Sequence, residues 1–314
     1  MKYNRLGYTD RKISAVCLGG WPFGGGYDWG PVDEESAACT VHTALEQGVN
    51  LIDTAPIYGN GAGEMFLGRI LGAKRKRVLV ATKCGLVKTN SWPVHDLHPL
   101  SIRTQLEGSL ARLGTDYIDL YQLHYPDPKI PLCDSLGELV RLKQEGKLRY
   151  IGVCNFSTEQ LKEACRYAEI VSVQNEYSLL HPQQGASVFS FCREKEISFL
   201  SYGTLCGGIL SGKYRKEPNF RRADARNYFY KCYQGEAFLE AQKTVARIRN
   251  LATAKNVAPA VVAVGWVLSC SAVSGALVGA RTTEQLCQNV QGAEIHLSAQ
   301  DLAYLEGKVC SCTK

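Results

Sequence analysis

Several features that would classify a chain at once are missing from this one. No apolar run is long enough to cross a bilayer, which takes about 20 residues. Met1-Lys2-Tyr3-Asn4-Arg5 lacks the apolar stretch of a secretory signal. No C-x-x-C occurs, so neither a zinc ribbon nor a thioredoxin-like redox pair is indicated. No internal repeat or low-complexity tract stands out. Charge of one sign is scarce: 36 Lys and Arg face 30 Asp and Glu, an excess of +6 spread along the chain. That balance suits an anionic cofactor or substrate better than nucleic acid. Gly24-Gly25-Gly26 follows the first β-like run but opens no clear helix, so the G-x-G-x-x-G of an open dinucleotide-binding sheet is absent.

What is abundant is cysteine. The 13 are odd in number and scattered, often within apolar runs, as at Cys17, Cys154 and Cys270. In a chain of this length without a secretion signal they read as reduced core residues of a cytoplasmic protein. Cys310-Ser311-Cys312 reads as a frayed tail, and no metal site is expected.

Short β-branched runs alternate with helical stretches. Strands are expected at Ala15–Gly19, Val49–Asp53, Val78–Thr82, Tyr117–Leu123, Tyr150–Cys154, Ile170–Gln174, Ile197–Tyr202 and Gly275–Val278. In Ser101–Leu113 the residues Leu106, Leu110 and Leu113 share a helical face, with Ser101 as N-cap. Ser157-Thr158-Glu159-Gln160 and Thr282-Thr283-Glu284-Gln285 read as capping boxes. A helix over Leu136–Gly146 ends on a glycine, and another covers Ser298–Lys308. Eight β-then-α units predict a closed (β/α)8 TIM barrel, one α/β domain over residues 1–314. Lys83–Pro99 and Gly203–Gly235 are its long loops, after strands 3 and 7, and loops of that length are usually functional.

In such a barrel reactive residues gather where strands end. The strand exits here carry Asp53, Lys83, His124, Asn155, Gln174 and Tyr202, with Tyr58 shortly after Asp53. Singly, each has a bland reading: a turn-capping carboxylate, a packing tyrosine, a solvated lysine, a satisfied core histidine. Together, in that order, Asp53, Tyr58, Lys83 and His124 resemble the catalytic tetrad of the aldo-keto reductases. Gly48-Val49-Asn50-Leu51-Ile52-Asp53-Thr54-Ala55, followed by Tyr58-Gly59, Glu64 and Gly68, is similar to that family's first signature. Tyr150-Ile151-Gly152-Val153-Cys154-Asn155-Phe156-Ser157 is similar to its second, with Cys154 where serine is commoner. The likeness runs from Tyr3-Asn4-Arg5-Leu6-Gly7 to about Asn289. Ser201–Lys213 looks most like the bacterial general-stress branch.

The resemblance implies an NADP(H)-dependent oxidoreductase that reduces an aldehyde or ketone. Hydride addition builds charge on the carbonyl oxygen, so a positioned acid helps, by roughly 10²–10⁴-fold. The resemblance makes Tyr58 that acid, with Lys83 expected to lower its pKa, Asp53 to hold Lys83, and His124 to orient the substrate oxygen. The same resemblance assigns Asn155 and Gln174 to the nicotinamide carboxamide, Tyr202 to its ring face, and Trp21 to cofactor or substrate. Leu205, Gly207, Leu210 and Lys213 would wrap the pyrophosphate. Gly279, Arg281, Gln285 and Asn289 would hold the adenosine end, with Arg281 on a 2′-phosphate.

Leu277-Val278-Gly279 departs from the Ile-Pro-Gly of many relatives, which softens a turn. Cys84 and Cys206 stand beside site residues, and packing or redox roles are both open to them. Trp21, Trp29, Trp92 and Tyr125, with Tyr58 and His124, are the candidate pocket walls, suiting a sugar or a small aldehyde. Two alternatives share these residues: an aldose or alcohol dehydrogenase working in the oxidative direction, and a cofactor-binding regulatory subunit like the potassium-channel β-subunits, which share the fold. Oligomeric state is not readable.

Overall fold

A computed structural model describes residues 1–89 and 92–309; the Cys310-Ser311-Cys312 tail lies outside the described residues. Eight strands close a parallel barrel in chain order: β1 (Val16–Gly19), β2 (Leu51–Asp53), β3 (Leu79–Cys84), β4 (Ile118–Leu123), β5 (Leu148–Cys154), β6 (Ile170–Glu176), β7 (Ser198–Tyr202) and β8 (Val273–Gly279). Helices return the chain between successive strands, as parallel pairing requires. The expected (β/α)8 barrel is therefore the fold.

The two-residue period of a strand decides what fills the barrel. Leu51, Ala81, Leu120, Leu200 and Leu277 form part of one buried apolar cluster inside it. Two residues further along the same inward face come Asp53, Lys83, Gln122 and Tyr202. An apolar layer thus supports a polar layer at the C-terminal end. The intervening residues Ile52, Val80 and Tyr121 belong to the larger core between barrel and helices.

The N-terminus forms an antiparallel hairpin of Tyr3–Arg5 with Lys12–Ser14, which the sequence reading did not anticipate. Its Leu6 and Ile13 are fully buried in the interior cluster, so the hairpin plugs the barrel beneath the polar layer. The helix expected from Ser101 starts earlier, at Pro99, with His98 as N-cap accepting from the Leu100 amide. Proline at the first turn needs no amide partner, which is why the start shifts. The Ser157 box forms completely. The second does so only in part: Thr282 accepts from the Gln285 amide, but Gln285 Oε1 takes the Arg281 amide instead. The helix before β5 spans Leu132–Gln144, and the last one Ala299–Leu305.

Both long loops have structure. In the first, Leu86–Val87 pairs with Val94–His95 as a short hairpin. The second contains 3-10 turns at Cys206–Ser211 and Lys231–Tyr233 and a helical turn at Ala225–Tyr228. No helix among the described residues is by itself long and apolar enough to cross a membrane.

Candidate active site

The polar layer is built around one charge pair. Lys83 Nζ donates to Asp53 Oδ2 at 2.6 Å, to the Thr54 carbonyl at 3.0 Å and to Tyr58 Oη at 3.1 Å. All three ammonium protons are used, and the side chain is 1% exposed. Asp53 Oδ1 accepts from Gln174 Nε2 at 2.9 Å and from Gln122 Nε2 at 3.4 Å. A buried ion pair is tolerated when its remaining valences are satisfied, and here they are. Gln122 was not singled out from sequence, although alternation from Leu120 places it on the inward face.

Tyr58 reaches the pair because the chain after β2 turns back tightly. Gly59 has φ +59°, and a side chain there would collide with the Gly24 backbone. The Tyr58 ring stacks on Trp21, with centroids 5.8 Å apart and planes 24° apart. Burial pushes the Tyr58 pKa up. Lys83 pulls it down by charge and hydrogen bonding, but burial and Asp53 outweigh it. Lys83 thus acts on this pKa in the expected direction, while burial and the Asp53 charge oppose it and favour the protonated phenol. Burial opposes the Lys83 charge, yet the Asp53 carboxylate more than compensates and the ammonium pKa is raised.

His124 follows β4 and stacks on Tyr125 at 5.2 Å, which in turn stacks on His95 at 5.5 Å. Burial, then Lys83 and His95, hold its pKa well below the usual histidine value. The ring is neutral, with one N–H to offer, and meets the Tyr58 ring edge-on with centroids 6.3 Å apart. Asn155 sits in the left-handed region at φ +61°. Its Nδ2 donates to the His124 carbonyl at 2.9 Å and its Oδ1 accepts from Tyr202 Oη at 2.7 Å. Thr54, Asn155 and Gln174 thus brace the tetrad residues before any ligand arrives.

A cavity of about 1230 Å³ opens over this layer and runs to the start of the Thr283–Gln291 helix. Every residue nominated from sequence lines it except two. Lys83 lies directly behind the wall, and Leu210 is fully buried in the hydrophobic core. Leu210 is thus corrected from a cofactor-facing to a packing residue: the turn aims Leu205, Gly207, Gly208 and Ser211 at the cavity instead. Gly207 and Gly208 adopt φ of +65° and +103°, where a side chain would be strained. Burial, Arg226 and Arg281 hold the Lys213 ammonium below its usual range, so this end is electropositive. Arg281 is exposed, and its guanidinium donates to the Pro31 carbonyl at 3.0 Å. Asn289 is buried and donates to the Gly279 carbonyl.

The mouth is aromatic. Trp21 meets Trp29 edge-on at 5.4 Å and Phe229 at 5.1 Å, while the 69%-exposed Trp92 meets Tyr228 at 5.9 Å. Asp28 links two of these walls, accepting from Trp21 Nε1 at 3.1 Å and Tyr228 Oη at 2.6 Å. Asp28, Tyr228 and Phe229 were not nominated from sequence, because a loop without periodicity carries no signal for where its side chains point. The thiols of Cys84 and Cys206 are fully enclosed. Burial pushes Cys84 up to about 12, and Cys206 well above the usual thiol value, so neither is a poised thiolate. Every cysteine among the described residues is free.

A family model described as the aldo/keto reductase family matches residues 15–309. Aldo-keto reductase YhdN of Bacillus subtilis (strain 168) is 37% identical over 289 residues, covering 91% of this chain and 87% of its own. The NADH-specific methylglyoxal reductase of Escherichia coli (strain K12) is 33% identical over 318 residues, 96% of both chains. The solved structure of a glycerol dehydrogenase from Gluconobacter oxydans superimposes with a TM-score of 0.87 at 34% identity, covering 97% of this chain and 94% of that one.

Proposed function

The chain belongs to the aldo/keto reductase family, and from that premise we propose that it reduces an aldehyde or ketone with NADP(H), Tyr58 acting as the general acid. The observation that carries this reading is the Asp53–Lys83–Tyr58 chain, closed by hydrogen bonds of 2.6 and 3.1 Å, at the floor of a cavity large enough for a dinucleotide and a small substrate.

The cavity lining fits the cofactor. Arg281 and the first amides of the Thr283–Gln291 helix suit a 2′-phosphate, because a guanidinium fork and unpaired helix amides both bind anions. Gln285 and Asn289 border the adenosine end. Gly207, Gly208 and Lys213 provide close backbone approach and positive charge for the pyrophosphate. Tyr202, Asn155 and Gln174 face the nicotinamide end, where bound cofactor supplies the hydride. Asn155 and Gln174 already hydrogen-bond within the protein, so they meet the carboxamide through their remaining valences.

The protein's own part is proton delivery. Tyr58, kept neutral by burial, gives its proton to the carbonyl oxygen as charge builds there. The phenolate left behind faces the Lys83 ammonium, which Asp53 holds charged and in place. His124, neutral, donates its N–H to the same oxygen and fixes its direction. The aromatic mouth, with Trp21, Trp29, Trp92 and Tyr125, suits a small aldehyde or a sugar, whose apolar ring face stacks on aromatics.

The fit to a glycerol dehydrogenase favours a second reading, oxidation of an alcohol or aldose by the same groups in reverse. Disappearance of NADPH and NADH against aldehydes, α-dicarbonyls and sugars, and their formation from polyols, decides between the directions. The leading reading expects faster turnover of NADPH with a carbonyl. Cofactor binding without turnover of any compound would favour a regulatory subunit instead.

A further inference from the structure

Beyond the cavity, the ends of β6 and β7 bring together three side chains that the reaction does not use. Glu176 is the last residue of β6 and pairs in register with Tyr202, the last of β7. His181 lies just before the Pro182–Ala186 helix. Cys206 opens the turn that follows Tyr202. One carboxylate oxygen, one imidazole nitrogen and the cysteine sulfur all lie within 4.8 Å of one another. Glu176 Oε1 and His181 Nε2 are 3.8 Å apart.

Two features of this cluster are costly as they stand. The Glu176 side chain is only 13% exposed, yet among the described residues its carboxylate accepts no hydrogen bond. A largely buried carboxylate that accepts no hydrogen bond, with an imidazole 3.8 Å away as its charged neighbour, is better satisfied when a cation joins it. Cys206 holds φ +45°, which a residue with a side chain rarely adopts. That conformation carries the thiol into full burial, where Ser178 Oγ lies 3.1 Å away.

We propose that Glu176, His181 and Cys206 form a binding site for one divalent zinc-like cation, which fastens the Cys206–Ser211 turn to the end of β6. The donor set selects the class. Thiolate and imidazole together favour borderline-soft ions such as Zn²⁺ over Mg²⁺ or Ca²⁺, which want oxygen ligands. Zn–ligand distances of about 2.0–2.3 Å in a tetrahedron need only a modest contraction of the observed cluster. Three protein ligands leave the fourth position to solvent, and the His181 side chain, 35% exposed, gives the ion its way in. The ion replaces the thiol proton, so each one bound releases one proton from Cys206 and affinity rises with pH. Because the turn carries Gly207 and Gly208 on the cavity wall, the bound ion ties that wall to the strand that supplies Gln174. This inference stands apart from the direction of the reaction and from the choice of cofactor.

The test uses tag-free, chelator-stripped protein titrated with Co²⁺ and then with Zn²⁺ in competition. The expected result is one equivalent of Co²⁺ with visible tetrahedral bands and a near-ultraviolet thiolate-to-cobalt charge-transfer band, all displaced by Zn²⁺. Cys206→Ser should abolish the charge-transfer band. His181→Ala, at a partly exposed position, should weaken Co²⁺ binding by roughly ten- to a hundredfold or more, since loss of even a supporting contact costs a metal site that much. Cobalt binding without the charge-transfer band, no binding at all, or equal affinity in wild type and His181→Ala would each overturn the proposal.

Discussion

Lys83 and Arg281 stand at opposite ends of one cavity and are held in opposite ways. Lys83 is sealed behind the wall with every ammonium proton committed. Arg281 is exposed, and its guanidinium spends one bond on the Pro31 carbonyl. The lysine is positioned by the barrel itself: alternation along β3 puts it two residues above Ala81, and the pairing of β2 with β3 brings Asp53 to it. The arginine is positioned by a loop and a helix cap. The lesson is that the end assigned to chemistry is preorganised, as electrostatic stabilisation of a transition state requires. The end assigned to recognition keeps its donors available to an incoming anion.

The contrast breaks most visibly if Lys83 is removed. Lys83→Met leaves Asp53 buried without its cation, and urea unfolding should show about 3–5 kcal/mol of lost stability. A loss below about 1 kcal/mol would show that the floor is not organised by this pair. Arg281→Ala should be nearly silent in the same assay, within about 0.5 kcal/mol, as for exposed positions generally.

In cofactor titrations the order reverses. Arg281→Ala should weaken NADPH roughly 10- to 150-fold, the equivalent of a charged hydrogen bond worth about 1.5–3 kcal/mol, and leave NADH almost unchanged. Equal weakening of both would remove the 2′-phosphate assignment and align the chain with its NADH-specific relative.

The pH dependence sharpens the chemical end. Reduction needs the protonated phenol, and burial raises the Tyr58 pKa above its ordinary value of about 10. Reductive kcat/KM should therefore stay level through the neutral range and fall only above about pH 10. His124, held neutral, should add no limb near pH ~6.5. A decline already in place near neutrality would mean that Lys83 wins over burial after all.

The smallest effect belongs to the mouth. Asp28→Ala releases Trp21 and Tyr228 from a shared carboxylate. Two side-chain hydrogen bonds of modest net worth predict a KM increase of roughly two- to tenfold with kcat little changed. A fall in kcat alone would place Asp28 in the chemistry instead of the wall.

These two ends were also unequally legible. All eight strands could be read from β-branched runs, because a strand enclosed on both faces must be apolar along most of its length. The tetrad could be nominated because barrel strand exits share one rim and because Asp53, Tyr58, Lys83 and His124, in that order, resemble the family's set. The N-terminal hairpin was hidden because Tyr3, Asn4 and Arg5 are all exposed and show no alternation. Ser101 was displaced as a cap by His98, since Pro99 starts the helix sooner. Leu210 resembled a pocket residue by its neighbours, yet a 3-10 turn with glycines in the left-handed region turns it into the core. Tyr228 and Phe229 meet Trp92 and Trp21 only through tertiary folding of a loop that no sequence period governs.

The central claim is that Tyr58 hands over the proton from a floor built around Lys83 and Asp53. Carbonyl reduction measured side by side for the wild type and Tyr58→Phe, at saturating reduced cofactor and with cofactor affinity recorded for both, tests it most directly. The account predicts a drop in kcat of roughly 10²–10⁴-fold with cofactor affinity unchanged. Equal rates for the two proteins would contradict it.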